Sequence, residues 1–375
     1  MIDIDGKKYE INRKTAIVTN WDKIYCNILK RILKKGELCK NRTGIDTLSI
    51  EGVYFKLDVG KSFPILETKK VALANTITEL LWIYQAQTND VKWLHDRQNH
   101  IWDDWMIDDD GIYRIYEPYI NENKKNIVKV KDIYGNDTNL TASSLKENRT
   151  IKEAIYYGPE YAHTIGTAYG YVVKETKEFD NVLYSLKNNP TSRRNVVSLR
   201  QANLLKTGVL EPCVWASTYK VSNGKLNINV DVRSNDMPIG NPFNVTQYAI
   251  LLSLLAKVSN LEVGNLNWTI SDCHIYVNQL EQIKLQLSRF DKLLKWESFI
   301  KNNDDKEIIK EYKKILEGSD IEELMTLKHL ITRENPELYL SNKDNFYEFD
   351  NKKENEDIKV LKYKSLPYIK MPVAQ

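Results

Sequence analysis

Residues 246–258 constrain the fold of this chain more than any other stretch, because their side chains are apolar on nearly every face of a helix. A surface helix shows one apolar stripe, so this pattern predicts a helix buried inside a core. The chain contains no run of 18 apolar residues, so no membrane span is predicted. Its 375 residues are 42% apolar and 10% aromatic, which is enough for a large core.

Composition excludes several classes of protein. The apolar content rules out global disorder, and a formal net charge of +3 gives no reason to expect a nucleic-acid or membrane partner. The first residues lack the apolar centre of a signal peptide, so we expect an uncleaved, cytoplasmic protein. Four cysteines without a CxxC pair suggest neither a disulfide framework nor a metal site.

Hydrophobic periodicity predicts the remaining elements. Helices are predicted over 20–36, 71–86, 179–188 and 276–289. Strands are predicted over 193–200, over 214–233 with an Asn-Gly hairpin, and over 47–57 as a pair with a turn or bulge at Gly52. Two further stretches differ from the rest in composition. Residues 113–162 are polar, include lysines 124, 125, 129 and 131, and are predicted to be irregular, whereas residues 291–335 are predicted to form a helical hairpin.

Two residues suggest catalysis. Glu79 has no cation within helical reach, so its pKa should be raised and it could hold or relay a proton; a carboxylate hydrogen-bonded to a neighbouring element is the structural alternative. Cys213 follows a proline at the start of a predicted strand. It would be a nucleophile only where cations or dipoles lower its pKa, and a small buried hydrophobe is the alternative.

Other residues suggest a ligand. Arginines beside hydroxyls recur around Arg42, Arg193 with Arg194, and Arg233 with Ser234, and they suit a phosphate monoester unless they are solvated surface groups. The amide of Asn244 could read a pyrimidine edge or stabilise a turn. His274 and Tyr276 lie two apart on a strand-like segment, face the same way and could share a hydroxyl ligand; a core histidine is the alternative.

In order, these pieces resemble one family, thymidylate synthase, and most closely its Bacillus and Bacillus-phage branch. Eleven motifs occur in the family's order: NRTG at 41–44, FPILETKK at 63–70, ELLW at 79–82, IWDDW at 101–105, AYG at 168–170, SRR at 192–194, PC at 212–213, RSND at 233–236, GNPFN at 240–244, DCHIY at 272–276 and IKMPVA at 369–374. Val214 and Val232 depart from the commonest family pattern, which has His and Gln there.

The resemblance implies an α/β (α+β) fold of three layers, a mixed β-sheet packed by helices with one sheet face forming a dimer interface. It implies a single catalytic domain over 1–375 with insertions at about 113–162 and 291–335. The implied reaction is reductive methylation of dUMP to dTMP, with 5,10-methylenetetrahydrofolate giving carbon and hydride and no metal taking part.

The resemblance also assigns roles. Cys213 would add to C6 of the uracil, with Arg233 favouring the thiolate, while Glu79 organises a proton-shuttling water, Tyr169 assists removal of the C5 proton and Asn244 reads the uracil edge. Arg42, Arg233 and Ser234 would bind the phosphate, with Arg193 and Arg194 from the other subunit of a homodimer, and His274 and Tyr276 would bind the ribose. Folate would contact Lys69, Ile101, Trp102, Trp105, Asp236, Gly240, Phe243 and Ala374, with Asp236 on the pterin and the tail closing over it.

Two other functions stay open. A dUMP hydroxymethylase would let water capture the same intermediate, but Trp102 and the C-terminal tail favour hydride transfer because both would exclude water. Asn244 argues against a cytosine substrate. An RNA-binding or scaffold protein that kept the fold and lost the chemistry would use the lysines of 113–162, and the intact set of Cys213, Arg233 and Asn244 argues against it.

Overall fold

A computed structural model describes residues 1–118, 127–146, 148–318, 320–352 and 357–373 of the chain. Its strands are β1 (Ile2–Ile4), β2 (Lys7–Tyr9), β3 (Glu37–Cys39), β4 (Thr47–Asp58), β5 (Ile112–Tyr116), β6 (Ile127–Asp132), β7 (Asp137–Ser143), β8 (Ile151–Tyr156), β9 (Val196–Ser198), β10 (Val214–Ser222), β11 (Lys225–Asp236), β12 (Glu262–Tyr276), β13 (Glu337–Leu340) and β14 (Ile358–Leu361).

The helices among the described residues lie mostly between and after the strands of the central sheet. They are α1 (Asn20–Lys35), α2 (Leu73–Tyr84), α3 (Lys92–His95), α4 (Gly170–Thr176), α5 (Glu178–Asn188), α6 (Gly240–Val258), α7 (Leu280–Asn302), α8 (Asp305–Glu317) and α9 (Ile321–Thr332). None of these helices, α6 included, combines the length and the apolar character that a membrane span requires.

A mixed six-stranded sheet organises the molecule, in the order β3-β4-β12-β11-β10-β9. Only β11 and β12 are parallel, and the other neighbours are antiparallel. The predicted hairpin between β10 and β11 is confirmed: Asn223 and Gly224 both have positive φ, at 50° and 74°, as a tight type I′ turn requires. The predicted mixed α/β fold is therefore confirmed.

The helix α6 lies between two layers, which explains its all-round apolar sequence. On one side it packs against β11 and β12, and on the other against α2. Leucines 251, 252, 254 and 255 of α6 are fully buried in consequence. Sheet, α6 and α2 thus form three successive layers, and the predicted buried helix is confirmed.

Several predicted boundaries differ from the structure. Residues 47–57 form one strand rather than a pair, because β4 pairs with β12 in one register on both sides of Gly52, although Gly52 takes φ +61°. The strand predicted over 193–200 is limited to Val196–Ser198. The helix predicted from 276 begins at Leu280, since pairing with β4 continues along β12 as far as Tyr276, which lies opposite Thr47.

The stretch at 113–162 is not irregular, and this prediction was wrong. It contains a second sheet, in the order β5-β8-β6-β7, around a small apolar cluster that includes Val130, Ala142 and Ala154. The hairpin expected near Gly135 is confirmed as the β6–β7 turn. Lys129 and Lys131 pair with Asp137 and Glu153 at 3.4 and 3.2 Å, while lysines 124 and 125 lie outside the described residues.

The stretch at 291–335 contains the end of α7 and then the helices α8 and α9. The α7 helix continues through the expected start of the hairpin to Asn302, because Phe290, Leu293 and Trp296 keep one buried face. The α9 helix docks on the 63–70 motif through a buried ion pair. In it Arg333 Nε donates to Glu67 Oε2 at 2.7 Å, and His329 Nε2 lies 2.9 Å from the same oxygen.

Removing Arg333 should destabilise the protein strongly. The side chains of Arg333 and Glu67 are 2% and 4% exposed, so Arg333→Ala leaves a buried carboxylate without its cation. We expect a loss of about 3 kcal/mol in the free energy of unfolding, measured by urea denaturation. The control is Arg13→Ala, whose pair with Asp305 is 40% and 45% exposed and should contribute less than about 1 kcal/mol. Equal losses of unfolding free energy in both variants would show that the buried Arg333–Glu67 pair stabilises the protein no more than the exposed Arg13–Asp305 pair does.

Candidate active site

An apolar cavity of about 240 Å³ lies where α2 and α6 meet the start of β10. It brings together nine of the predicted site residues: Glu79, Ile101, Trp102, Trp105, Tyr169, Cys213, Gly240, Phe243 and Asn244. They come from five separate parts of the sequence, so the fold alone assembles them. Gln247 and Tyr248 of α6 complete one wall.

Glu79 is held in this cavity by neutral hydrogen-bond donors. Trp102 Nε1 donates to its Oε1 at 2.7 Å, and Gln247 Nε2 donates to its Oε2 at 2.7 Å. Burial raises the pKa of Glu79 to about 7, although both hydrogen bonds act in the opposite direction. Both sequence interpretations therefore hold at once: the carboxylate is bonded to neighbouring elements, and it can carry a proton near neutrality.

Cys213 is positioned by the end of the sheet. It directly precedes β10, as predicted, and its carbonyl accepts a hydrogen bond from Arg233 N at 2.9 Å. The β10–β11 register then shifts between Val214 and Ala216. Such a bulge re-aims nearby side chains, and here it lies one residue after the thiol.

Arg233 anchors the loop that precedes the thiol. Its Nε and Nη2 donate to the carbonyls of Pro212 and Glu211 at 3.1 and 2.7 Å. Burial raises the pKa of Cys213, while the charges of Arg233 and Arg42 lower it. The expected cationic influence is present, but burial outweighs it and the pKa of Cys213 is raised above its ordinary value.

Tyr169 lies on a strained turn against the cavity. Its φ is +48°. The next residue, Gly170, packs directly against the backbone of Thr88, and a Cβ at this position would lie 2.1 Å from the Thr88 carbonyl oxygen. The Tyr169 ring lies 5.2 Å from that of Trp102, edge to face. Burial raises the pKa of Tyr169, as do the neighbouring charges of Cys213 and Glu79.

A polar network occupies the ends of β11 and β12. Asp272 accepts hydrogen bonds from Ser49 and Ser234, and its Oδ2 lies 3.2 Å from His274 Nδ1. Burial opposes ionisation of Asp272, but the partners His274, Ser49 and Ser234 lower its pKa to about 2. His274 and Tyr276 do face the same way, with ring centroids 5.3 Å apart.

Arg42 lies on a loop braced by the second sheet. Lys152 Nζ of β8 donates to the Arg42 carbonyl at 2.9 Å. The charge of Arg42 influences the pKa of both Cys213 and Tyr276, so its guanidinium lies within electrostatic reach of the thiol. Arg193 and Arg194 are exposed and do not line the cavity of their own chain.

Gln279 joins three parts of the site. Its Oε1 accepts from Tyr276 N at 3.0 Å, and its Nε2 donates to Asp236 Oδ2 at 3.4 Å and to the Pro372 carbonyl at 3.1 Å. Burial raises the pKa of Asp236. Lys69 is also buried, donates to the Pro238 carbonyl, and has its pKa lowered by burial to about 8. The predicted residue Ala374 lies outside the described residues.

Sequence reasoning missed Gln247, Asp272 and Gln279. Gln247 left one signal, since a polar residue inside an apolar helix must find a buried partner. Asp272 is part of a motif that the sequence showed, but its two serine partners, Ser49 and Ser234, come from other strands. Gln279 left no signal, because its partners Asp236 and Pro372 are distant in sequence and the pattern of apolar positions does not report its bond to Tyr276.

A thiol, a protonatable carboxylate and an amide meet in one apolar cavity, which is the set of groups expected of an enzyme rather than of a scaffold. A family model described as thymidylate synthase matches residues 23–315. A thymidylate synthase of Clostridium beijerinckii is 34% identical over 269 residues, covering 72% of this chain and 82% of the relative. That of Mycoplasma mobile is 36% identical over 290 residues, covering 76% and 90%.

A solved structure gives the same result. The thermostable thymidylate synthase A from Bacillus subtilis matches with a TM-score of 0.64 and 28% identity, over 95% of this chain and 100% of that chain. The chain belongs to the thymidylate synthase family. It is a methyltransferase that converts dUMP to dTMP, and these relatives give no support to the hydroxymethylase alternative.

The raised pKa of Glu79 predicts a pH-dependent stability. The ordinary pKa is 4.5 and the folded value is about 7, so between these values the folded protein keeps a proton that the unfolded chain has lost. The free energy of unfolding should therefore fall as pH rises through this window, by about 3 kcal/mol. Glu79→Gln cannot ionise and removes this fall.

Urea unfolding of both proteins at several pH values measures the effect. The free energy of unfolding of Glu79→Gln, minus that of the wild type, should increase by about 3 kcal/mol between pH 4.5 and 7.5. Other titrating groups cancel in this difference. A difference that stays constant with pH would show that Glu79 ionises in its ordinary range.

Proposed function

We propose that this chain methylates dUMP with 5,10-methylenetetrahydrofolate, using Cys213 as the nucleophile. The observation that carries the proposal is the meeting of Cys213, Glu79 and Asn244 in one apolar cavity. We also propose that residues 1–375 form one catalytic domain with additions at about 113–162 and 291–335. A cytoplasmic location, which would keep the thiol reduced, remains a prediction.

The Cys213 sulfur would add to C6 of the uracil and make C5 nucleophilic. Because burial raises the pKa of the Cys213 thiol, its proton must leave before or during the attack, and Arg233 and Arg42 favour the thiolate. Asn244 near the start of α6 would hydrogen-bond the uracil edge, since an amide both donates and accepts. Tyr169, next to the thiol, would assist removal of the C5 proton.

Glu79 would act as the proton donor and acceptor in the same cavity. A carboxyl with a pKa of about 7 exists in both protonation states at neutral pH, so it can give and take a proton through an ordered water. Trp102 and Gln247 fix its two oxygens and thereby aim it. The structure thus supports a positioned acid and base, which is the role expected from the resemblance.

The cavity residues fit a flat, partly apolar co-substrate. Trp102 lies edge to face with Trp105 at 5.6 Å, and Ile101 and Phe243 line the same space. When bound, 5,10-methylenetetrahydrofolate would supply the transferred carbon and the hydride. Gln279 connects Asp236 with Pro372, so a contact at the pterin would be linked to the position of the tail. An aromatic wall and a seated tail would exclude water from the site.

The phosphate site would be completed by a second subunit. Arg42 and Arg233 would bind the phosphate with Ser234 from one chain, and the exposed Arg193 and Arg194 would serve the partner's site. The outer face of the central sheet is the proposed dimer interface. It leaves Tyr54 and Val196 63% and 40% exposed, as an unpartnered interface would.

Cys213→Ala should abolish turnover while the protein stays folded and still binds dUMP. The assay supplies dUMP and methylenetetrahydrofolate and follows dihydrofolate absorbance together with the nucleotide product. Cys39→Ala, which changes an exposed thiol, is the control and should keep wild-type activity. Full turnover by Cys213→Ala would overturn the assignment, and hydroxymethyl-dUMP without dihydrofolate would identify a hydroxymethylase.

Mixing two inactive variants should restore activity if the sites are shared. Cys213→Ala lacks the thiol and Arg193→Ala lacks the arginine lent to the partner. After subunit exchange, half of the dimers contain both chains and each has one complete site. We expect roughly a quarter of wild-type activity by random pairing. Activity no higher than that of the separate variants would contradict the proposal that Arg193 binds the phosphate in the site of the other subunit.

A further inference from the structure

Three side chains converge beside the active-site loop without a role in the proposed reaction. His95 Nε2 lies 2.6 Å from Asp103 Oδ1, and His100 Nδ1 lies 3.1 Å from Asp103 Oδ2. The two imidazole rings are stacked, with centroids 4.8 Å apart and planes at 28°. The three possible ligand atoms all lie within 4.8 Å of one another.

The two rings and the carboxylate offer the donor set of a metal site as well as that of a hydrogen-bonded cluster. Both rings turn a nitrogen toward one carboxylate, so each must carry a proton on that nitrogen for both bonds to form. If both rings were fully protonated, two cations would be stacked face to face. A divalent ion would instead replace those two protons and be bound by two neutral nitrogens and one carboxylate oxygen.

We propose that His95, His100 and Asp103 form a binding site for a divalent transition-metal ion of the Zn²⁺ class. Two imidazoles and a carboxylate suit this class of ion, whose bond lengths of about 2.0–2.2 Å place ligand atoms roughly 3.3 Å apart. The observed separations need only small rotamer changes of side chains that are 31%, 63% and 40% exposed. The same exposure gives the ion an entry path and leaves the fourth position to water.

The site would join α3 to the short turn that begins at Asp103. His95 ends α3, whereas Asp103 begins a short 3₁₀ turn that continues to Trp105. In the sequence, Trp102 stands between His100 and Asp103, and its Nε1 donates a hydrogen bond to Glu79. A bound ion would therefore link the two ends of the loop that carries Trp102 and restrict its movement.

A second His–Asp pair provides a matched control. His163 Nε2 lies 2.7 Å from Asp109 Oδ1, and its side chain is 29% exposed, almost as His95 is. This pair has one imidazole, so it should bind a divalent ion far more weakly. His163 has φ +62°, and asparagine tolerates that backbone, so His163→Asn is the appropriate substitution.

The experiment measures Zn²⁺ binding by calorimetry on the full chain carrying Cys39→Ser and Cys213→Ser, so that accessible thiols do not compete. We expect one ion per chain. His100→Asn and Asp103→Asn should each weaken the affinity by at least about tenfold, and His163→Asn should leave it unchanged. Co²⁺ should give visible absorption bands that both site variants lose. Metal-free melting temperatures of the variants check that each is folded.

Three outcomes would overturn the site. The first is no saturable Zn²⁺ binding, and the second is binding that His100→Asn and Asp103→Asn do not weaken. The third is an equal loss in His163→Asn, which would indicate general histidine affinity rather than a built site. None of these outcomes bears on the methylation reaction, because the background protein lacks Cys213 and binding alone is measured.

Discussion

The buried carboxylate of Glu79 is the interaction on which the site depends. One acidic side chain on α2 accepts a hydrogen bond from the loop at Trp102 and another from α6 at Gln247. Three elements distant in sequence therefore meet at two oxygens. Because burial makes the charged form costly, the group is kept near the point where it can exchange a proton, and the same bonds that fix its position limit how far its pKa rises.

The α6 helix gives this arrangement its frame. It separates the central sheet from α2, so its first turns, as far as Tyr248, reach the cavity while its remaining length is core. Gly240, Phe243, Asn244 and Gln247 all line the cavity from this one helix. Because most of α6 is buried, the helix holds these cavity residues in fixed positions.

The sequence predicted those parts of the site that depend on local order. Cys213 at a strand start, Glu79 without a cationic neighbour, and His274 with Tyr276 on one strand face all followed from spacing. The bulge after Cys213 and the bonds of Arg233 to the preceding carbonyls did not, because they arise from pairing between strands. Residues 113–162 were misjudged since a small sheet needs only a few apolar residues to form.

The boundary between β12 and α7 failed for a related reason. The helical stripe that begins near Leu280 extends by chance into Tyr276, so periodicity alone could not separate the strand from the helix. In the structure, Gln279 accepts a hydrogen bond from Tyr276 N and fixes the turn between them. That contact involves neighbouring residues, but nothing in the pattern of apolar positions reports it.

The second sheet is a part of this chain in which the sequence can vary with little effect on the main core. Its apolar cluster is separate from the main core, so changes in its length or composition need not disturb the layers around α6. It nevertheless contacts the catalytic frame where Lys152 bonds the Arg42 carbonyl. Variation in this sheet can therefore shift the loop that carries Arg42 while the layers around α6 stay unchanged.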